Sequence, residues 1–132
     1  APAVAIELPD GKIITGKTSD LLGASAALLL NALKELAGLE DDVHLIAPYV
    51  IEPIQRLKVE HFGNHNPRLH TDEILLALSI CATTDPKAEK AMAQLGKLRG
   101  CEVHSSVILS SVDERTFKRL GVNLTCEPRY KM

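Results

Sequence analysis

Apolar residues are distributed along the chain in short runs that carry two different periods. Residues 3–8 and 12–15 are β-prone and flank Pro9-Asp10-Gly11, a tripeptide typical of a tight turn, so they predict an N-terminal β-hairpin. Three further short apolar runs are bounded by turn residues and predict single strands. They lie at residues 43–47, 101–109 and 122–126.

Five longer segments have the spacing and end signals of helices. They are predicted at residues 19–37, 52–62, 71–82, 85–100 and 111–121. Thr18 and Ser19 are suitable caps for the first helix, which is apolar around most of its circumference and ends before Gly38. The second helix is predicted to begin at Glu52, because Pro53 is tolerated best in a first helical turn.

The predicted order of elements is therefore β-β-α-β-α-α-α-β-α-β. An odd number of helices between two strands returns the chain to the same edge of a sheet, so the connected strands run parallel. The sequence thus predicts an α/β fold with a mixed, mainly parallel sheet of about five strands, an N-terminal hairpin and about five helices. With 132 residues and no repeat or linker, residues 1–132 are expected to form one domain.

Charge and composition narrow the classes of partner. The formal net charge is -2 and the basic residues are scattered, so no nucleic-acid partner is expected. No apolar run is long enough to span a bilayer and the first residues lack a basic leader pattern, so no membrane partner is expected. The three cysteines suit a reducing, cytoplasmic compartment, and Cys101 and Cys126 are predicted to lie unpaired at opposite ends of the sheet.

Residues 11–18, GKIITGKT, match the phosphate-binding pattern G-x-x-x-x-G-K-[ST]. A P-loop requires a strand that runs directly into the first glycine and is followed by a compact loop. Here Pro9 and Asp10 separate the strand from Gly11, and the β-branched pair Ile13-Ile14 favours an extended strand. The segment is therefore interpreted as the second hairpin strand followed by a helix cap.

A candidate anion site remains at the starts of the first and fifth predicted helices. Its residues are Gly16, Lys17, Thr18, Ser19, Ser110 and Ser111. Free N–H groups, the helix dipole, a lysine and hydroxyls suit a phosphate or carboxylate group. By the parity of the connections, both helix starts open at the carboxyl ends of the strands, where open α/β sheets bind ligands. The alternative is that these residues are ordinary helix caps.

Three histidines, His61, His65 and His70, lie within ten residues. Their spacing straddles a predicted helix end and a proline-containing loop, which is atypical of a metal site, so no metal ion or cofactor is predicted. The second helix is expected to run away from the sheet edge at which it starts. Residues 63–70 are therefore predicted to emerge at the opposite end from the anion site.

Three long stretches of the chain carry a resemblance to a known family. They are residues 15–58, 69–92 and 100–128. They resemble the C-terminal part of a bacterial family described as domain of unknown function 1846, and the similarity covers nearly the whole chain. Members of that family are longer and have a large N-terminal portion. The resemblance therefore implies the C-terminal domain of a longer, uncharacterised bacterial protein, with catalysis left open.

Two classes of function fit these features. In the first, the domain binds an anionic or phosphorylated small ligand for a larger protein. In the second, it is a non-catalytic module that packs on the N-terminal portion or on a second copy. The helices at residues 19–37 and 74–82 are apolar on most sides. Their apolar surface is larger than one small sheet is expected to cover. An interface of at least about 1,000 Å² is therefore predicted on them.

Overall fold

The computed structural model describes residues 3–127, which form an α/β arrangement of four strands and five helices. The strands are β1 (Ala3–Glu7), β2 (Ile13–Lys17), β3 (Glu102–Ser105) and β4 (Asn123–Cys126). The helices are α1 (Ala24–Leu36), α2 (Pro48–Arg56), α3 (Thr71–Cys81), α4 (Pro86–Met92) and α5 (Ser111–Arg119). A π turn (Leu57–His61) extends α2, and a 3₁₀ turn (Leu95–Leu98) follows α4.

The N-terminal hairpin is confirmed. Strands β1 and β2 pair antiparallel, and Leu8 N donates to Lys12 O at 2.8 Å across the turn. Gly11 adopts a φ of 89°, a conformation that is open to glycine without a steric penalty. The Pro-Asp-Gly turn therefore sets the register of the hairpin, with Ile6 opposite Ile14.

The sheet is mixed, as predicted, but it has four strands in the order β2-β1-β3-β4. Strands β2, β3 and β4 point in one direction, as predicted, although four helices rather than an odd number separate β2 from β3. However, β1 lies between β2 and β3 and is antiparallel to both, so only β3 and β4 form a parallel pair. The prediction of a mainly parallel sheet of about five strands is therefore wrong in strand number and in pairing.

Residues 43–47, predicted as a strand, form an irregular segment. Leu45 and Ile46 are each only 4% exposed and belong to the same apolar core as α1. A short apolar run is equally compatible with a strand and with any other buried segment, and Pro48 starts α2 directly after it. The run is thus explained by side-chain burial rather than by strand pairing.

Two helix starts also differ from the prediction. Helix α1 begins at Ala24 instead of residue 19, because Ser19 Oγ accepts from Leu22 N at 3.2 Å and closes a turn ahead of the helix. Helix α2 begins at Pro48, and Pro53 lies inside it. Pro48 and Pro53 are each suited to a first helical turn, and α2 begins at the earlier proline.

The helices cover one face of the sheet. On this inner face Val4, Ile6 and Val103 are each 1% exposed, and α1 packs on β1 and β2 while α5 packs on β4. Alternate residues point to the opposite, outer face, where Ile13 is 59% exposed. The domain therefore has two layers, and its core lies between the inner face and α1.

The placement of two cysteines agrees with the prediction. Cys101 and Cys126 are free thiols, as expected, and lie at opposite ends of the parallel pair. Within residues 3–127, no helix is long and apolar enough to cross a membrane.

Candidate functional site

A cleft of about 340 Å³ opens at the edge of the sheet where β2 and β3 end and β1 begins. Its walls come from the start of α1 (residues 23–25), the loop before α3 (65–70), the loop after β3 (107–110) and the first turn of α5 (Asp113). Val4 forms part of its floor. The cleft therefore lies where ligands are expected in an open α/β sheet, at the carboxyl ends of the strands.

Three helices present their N-terminal ends to this cleft. Their N-cap residues are Gly23 for α1, His70 for α3 and Ser110 for α5, and all three line it. The first N–H groups of a helix have no acceptor within the helix and carry the positive end of its dipole. Three such ends at one place make the cleft favourable for negative charge.

The positive end of α3 is already matched by a carboxylate of the protein. Asp113 Oδ1 accepts from Thr71 N at 3.0 Å and from Thr71 Oγ1 at 2.8 Å, and His70 Nδ1 lies 3.7 Å from Asp113 Oδ2. Burial raises the pKa of Asp113, but His70 and Thr71 outweigh it, so this pKa lies below the ordinary value. In turn, the Asp113 carboxylate raises the pKa of His70 against the opposing effect of burial.

The N-terminal end of α1, in contrast, has no side-chain cap. Ser25, in its first turn, is 2% exposed, and its hydroxyl has no hydrogen-bond partner among residues 3–127. Buried hydroxyl groups in proteins are nearly always paired, because an unpaired one costs about 1–3 kcal/mol. An unpartnered hydroxyl beside free N–H groups in the wall of a cleft indicates a place for an acceptor.

The loop wall of the cleft is held in place by a buried lysine. Lys58, in the π turn, is 3% exposed, and its Nζ donates to Arg68 O and, at 2.8 Å, to Glu73 Oε1. The same Glu73 oxygen accepts from His70 N at 2.7 Å. π turns are often found at functional sites. Here the turn directs Lys58 inward and fixes the carbonyl of Arg68 and the start of α3.

The same loop is tied to the segment before α1. Arg68 Nε donates to Ser19 O, and Leu69 O accepts from Gly23 N at 3.2 Å. The prediction that residues 63–70 lie opposite the anion-type edge is therefore wrong. It assumed a strand at residues 43–47 that would start α2 at this edge, whereas α2 runs toward the edge and Gln55 Nε2 donates to Asp20 O there.

The structure places the six predicted anion-site residues in different surroundings. Ser110 lines the cleft and caps α5, with its Oγ accepting from Asp113 N at 3.2 Å. Lys17 is exposed on the outer face of the sheet, since it follows the buried Gly16 by one strand position. Ser111 is exposed, Ser19 closes its local turn, and Thr18 Oγ1 is buried without a partner among the described residues.

Gly16 has a packing role that differs from that of a P-loop glycine. It lies within β2, and a Cβ added to it would overlap Ala24 O and Leu28 N of α1. The second glycine of the pattern thus allows a strand and a helix to approach closely. Residues 13–17 are a paired strand, as interpreted from the sequence, so no phosphate-binding loop forms there.

Several residues of the cleft were not predicted as site residues from the sequence. Ser25 carried a usable signal, because it is a polar residue inside a nearly continuous apolar stretch that follows Gly23. Asp113 carried none, because 42 residues separate its carboxylate from Thr71, whose N–H donates to it. His70 was considered only as a metal ligand in a group of three histidines. The site therefore depends on contacts between distant segments more than on a local motif.

Comparisons with known proteins confirm the resemblance seen in the sequence. A family model described as domain of unknown function DUF1846, C-terminal, matches residues 1–132. The chain is 62% identical over 129 residues to a UPF0371 protein of Corynebacterium urealyticum and 60% identical over 130 residues to one of Corynebacterium diphtheriae. A UPF0371 protein of Streptococcus pyogenes is 52% identical over 130 residues. Each alignment covers 98% of this chain and 26% of the relative, so the chain spans about a quarter of the length of these curated relatives.

Proposed function

The chain belongs to the DUF1846 C-terminal domain family, and on that premise we propose that it is a ligand-binding domain that holds a small anionic group in the cleft at the start of α1. Because the chain spans 26% of its curated relatives, the proposal assigns any reaction chemistry to the whole protein and ligand retention to this domain. Its three free cysteines fit a cytoplasmic setting.

The observation that carries the proposal is the unpartnered hydroxyl of Ser25. It is buried beside the uncapped N-terminal end of α1, and both line the same cleft. The two features point to one missing acceptor with negative charge, since N–H groups and a hydroxyl both donate to an oxyanion. Ser110, predicted from the sequence, lies across the cleft and remains part of the proposed site.

Charge and shape support the same function. Arg68 belongs to the cleft wall and adds a positive charge beside it, with its Nε donating to Ser19 O. Val4, Ile108 and Leu109 form apolar wall, which suits the carbon skeleton of a small metabolite. The volume of about 340 Å³ lies within the usual range of about 300–1,000 Å³ for small-molecule sites. The ligand of this proposal therefore combines one anionic group with a small apolar body.

Replacement of Ser25 tests the proposal through two effects of opposite sign. Ser25→Ala removes an unpaired buried hydroxyl, so the free protein should become more stable by about 1 kcal/mol. The same change removes a donor to the ligand, so inorganic phosphate should stabilise the variant less than the wild type. For scale, a ligand at 100 times its Kd raises the free energy of unfolding by about 2.7 kcal/mol.

The matched control is Ser111→Ala, because Ser111 is an exposed serine in the first turn of α5. Thermal unfolding of both variants and the wild type is measured over a phosphate series at constant ionic strength. Equal phosphate stabilisation in Ser25→Ala and the wild type would overturn the proposal. A loss in Ser111→Ala as large as that in Ser25→Ala would show a nonspecific effect of anions.

A second candidate function is favoured by the surface of α3. Leu76 and Ile80, one turn apart, are 66% and 68% exposed, whereas α1 buries Leu28, Leu29 and Leu33 completely within this chain. The expected surplus of apolar helix surface is therefore found on α3 and not on α1. The alternative proposal is a packing module whose α3 face contacts the rest of the protein or a second copy.

Polar substitutions on α3 distinguish this alternative. The double variant Leu76→Gln and Ile80→Gln should change the mass measured by light scattering across a dilution series if α3 forms an interface between copies. Ile13→Gln, at an apolar residue of similar exposure on the outer face of the sheet, is the control. A monomeric mass for the wild type at every concentration would exclude self-association through α3.

A further inference from the structure

His70 is placed to contact whatever occupies the cleft. It lines the cleft, its side chain is 32% exposed, and its Nδ1 is turned toward Asp113. The Asp113 carboxylate is itself fixed by two hydrogen bonds from Thr71. A carboxylate beside one ring nitrogen, here 3.7 Å from Nδ1, favours this orientation of the imidazole and leaves the other nitrogen, Nε2, for a ligand.

The charged groups around His70 can be followed element by element. Lys58 of the π turn and Glu73 of α3 form a close pair at 2.8 Å and cancel each other. Asp113 faces His70 from α5, Arg68 lies two residues before it, and His65 is on the exposed rim. With His70 neutral, Arg68 and Asp113 also cancel, so the cleft has no net charge from these groups. Protonation of His70 then gives the cleft one net positive charge from these groups.

We propose that His70 is the titrating cation of this cleft and that the ligand group is a doubly charged tetrahedral oxyanion, such as the phosphate of a monoester. This inference rests on the anion-binding function proposed above and specifies its ligand class. The binding energy of a doubly charged group gains twice as much from each added positive charge as that of a single carboxylate. A cleft whose charge changes on one imidazole therefore responds most to a dianion.

The donors in the cleft also match a tetrahedral group better than a planar one. The residues that carry them lie on three walls: Ser25 at the uncapped start of α1, His70 in the loop before α3 and Ser110 at the start of α5. A phosphate monoester presents three strong acceptor oxygens, one for each side, whereas a carboxylate presents two in one plane.

The sign of the pH effect follows from the charge of the imidazole. Asp113 favours the protonated form of His70, and a bound dianion favours it further. Binding of a dianion should therefore be strongest below the pKa of His70 and weaken as pH rises through it. The ligand in turn should raise the pKa of His70, because the two equilibria are linked.

Sulfate is the probe of choice, because it stays doubly ionised throughout the range in which histidine titrates and its own protonation does not contribute. Sulfate binding to the full chain is measured by calorimetry between about pH 5.5 and about pH 8.5 at constant ionic strength. Above the pKa of His70 in the free protein, affinity should fall about tenfold per pH unit until only the neutral form binds. Acetate, measured in the same way, should bind more weakly and respond less to pH.

The variants are His70→Gln, which keeps a donor but cannot titrate, and the matched control His61→Gln, at an exposed histidine of the π turn. His70→Gln should bind sulfate weakly and with no dependence on pH, whereas His61→Gln should follow the wild type. Proton NMR of His70 in the wild type gives a second readout that needs no variant, because its pKa should rise when sulfate is added.

The possible outcomes distinguish failure of this inference from failure of the proposed function. A sulfate affinity that is independent of pH, with an unchanged pKa of His70, overturns this inference but leaves anion binding intact. Acetate binding as tight as sulfate binding overturns the assigned ligand class. If sulfate does not bind at any pH and Ser25→Ala has no effect on phosphate stabilisation, the proposed function itself fails and this inference fails with it.

Discussion

Gly16→Ala should be among the most damaging conservative substitutions in this domain, because it separates α1 from the sheet. The added Cβ would overlap Ala24 O and Leu28 N and would lie 2.7 Å from Leu28 Cα. Ordinary carbon contacts are about 3.5–4.0 Å, so α1 and β2 would have to separate by about 1 Å. All of the clashing atoms belong to the backbone, so no side-chain rotation can relieve the contact.

The cost can be estimated from that displacement. A gap of about 1 Å forfeits up to about half of the dispersion attraction across a contact, and the face of α1 that would move contains Leu28 and Leu29, which are 0% exposed. Overpacked core substitutions cost about 1–3 kcal/mol, and a clash with rigid backbone places this one at about 3 kcal/mol or more. With a urea slope of about 1.5 kcal/mol per M, the midpoint should fall by about 2 M.

Equilibrium urea unfolding followed by circular dichroism measures this shift. The control is Gly96→Ala, since no atom of residues 3–127 outside its two neighbours and the backbone of its own helical turn lies within 4 Å of a Cβ added there. Its midpoint should stay unchanged or rise, because alanine reduces the conformational freedom of the unfolded chain. A Gly16→Ala midpoint within about 0.3 M of the wild type would refute the close approach of β2 to α1.

Three other expectations follow from single contacts. Lys58→Met, which leaves Glu73 without its partner and frees the Arg68 carbonyl, should lower the free energy of unfolding by about 3–5 kcal/mol, measured by urea unfolding. The lowered pKa of Asp113 stabilises the fold above the ordinary aspartate pKa, and the raised pKa of His70 stabilises it below the ordinary histidine pKa. Stability should therefore peak at mildly acidic pH and decline on both sides, and Asp113→Asn should flatten the profile measured by thermal unfolding at several pH values. Asp85→Ala removes the cap that accepts from Lys87 N at 2.9 Å and should cost about 1 kcal/mol, whereas no measurable loss would show that α4 needs no cap.

Local chemistry made much of the fold predictable. The Pro-Asp-Gly turn identified the hairpin, Asp85-Pro86 marked the start of α4, and α5 begins at Ser111, as predicted from the sequence. Each of these signals is complete within a few residues. The backbone there has one favourable solution, regardless of the rest of the chain.

Predictions that depended on distant partners failed for a physical reason. The parity of the connections was counted through a strand at residues 43–47 that does not form. Parity also does not say which strands are neighbours, so the position of β1 between β2 and β3 could not be read from it. Burial of residues 43–47 was recognised, but burial does not distinguish a strand from an irregular segment. The cleft could not be predicted without the strand order and the path of residues 43–47, because its walls come from distant segments. The contact between Arg68 and Ser19, for example, spans 49 residues.

The central position of β1 also determines the order in which the domain can fold during synthesis. β1 can pair with β2 as soon as the hairpin has emerged. The other edge of β1 stays unpaired until Ser105, the partner of Val4 about 100 residues later, has been synthesised. At ordinary rates of translation of about 5–20 residues per second, that edge stays open for about 5–20 s. Contacts of such long range slow folding, and an open strand edge is a site of aggregation. The nascent hairpin is therefore the stage at which this domain depends most on shielding by the ribosome or a chaperone.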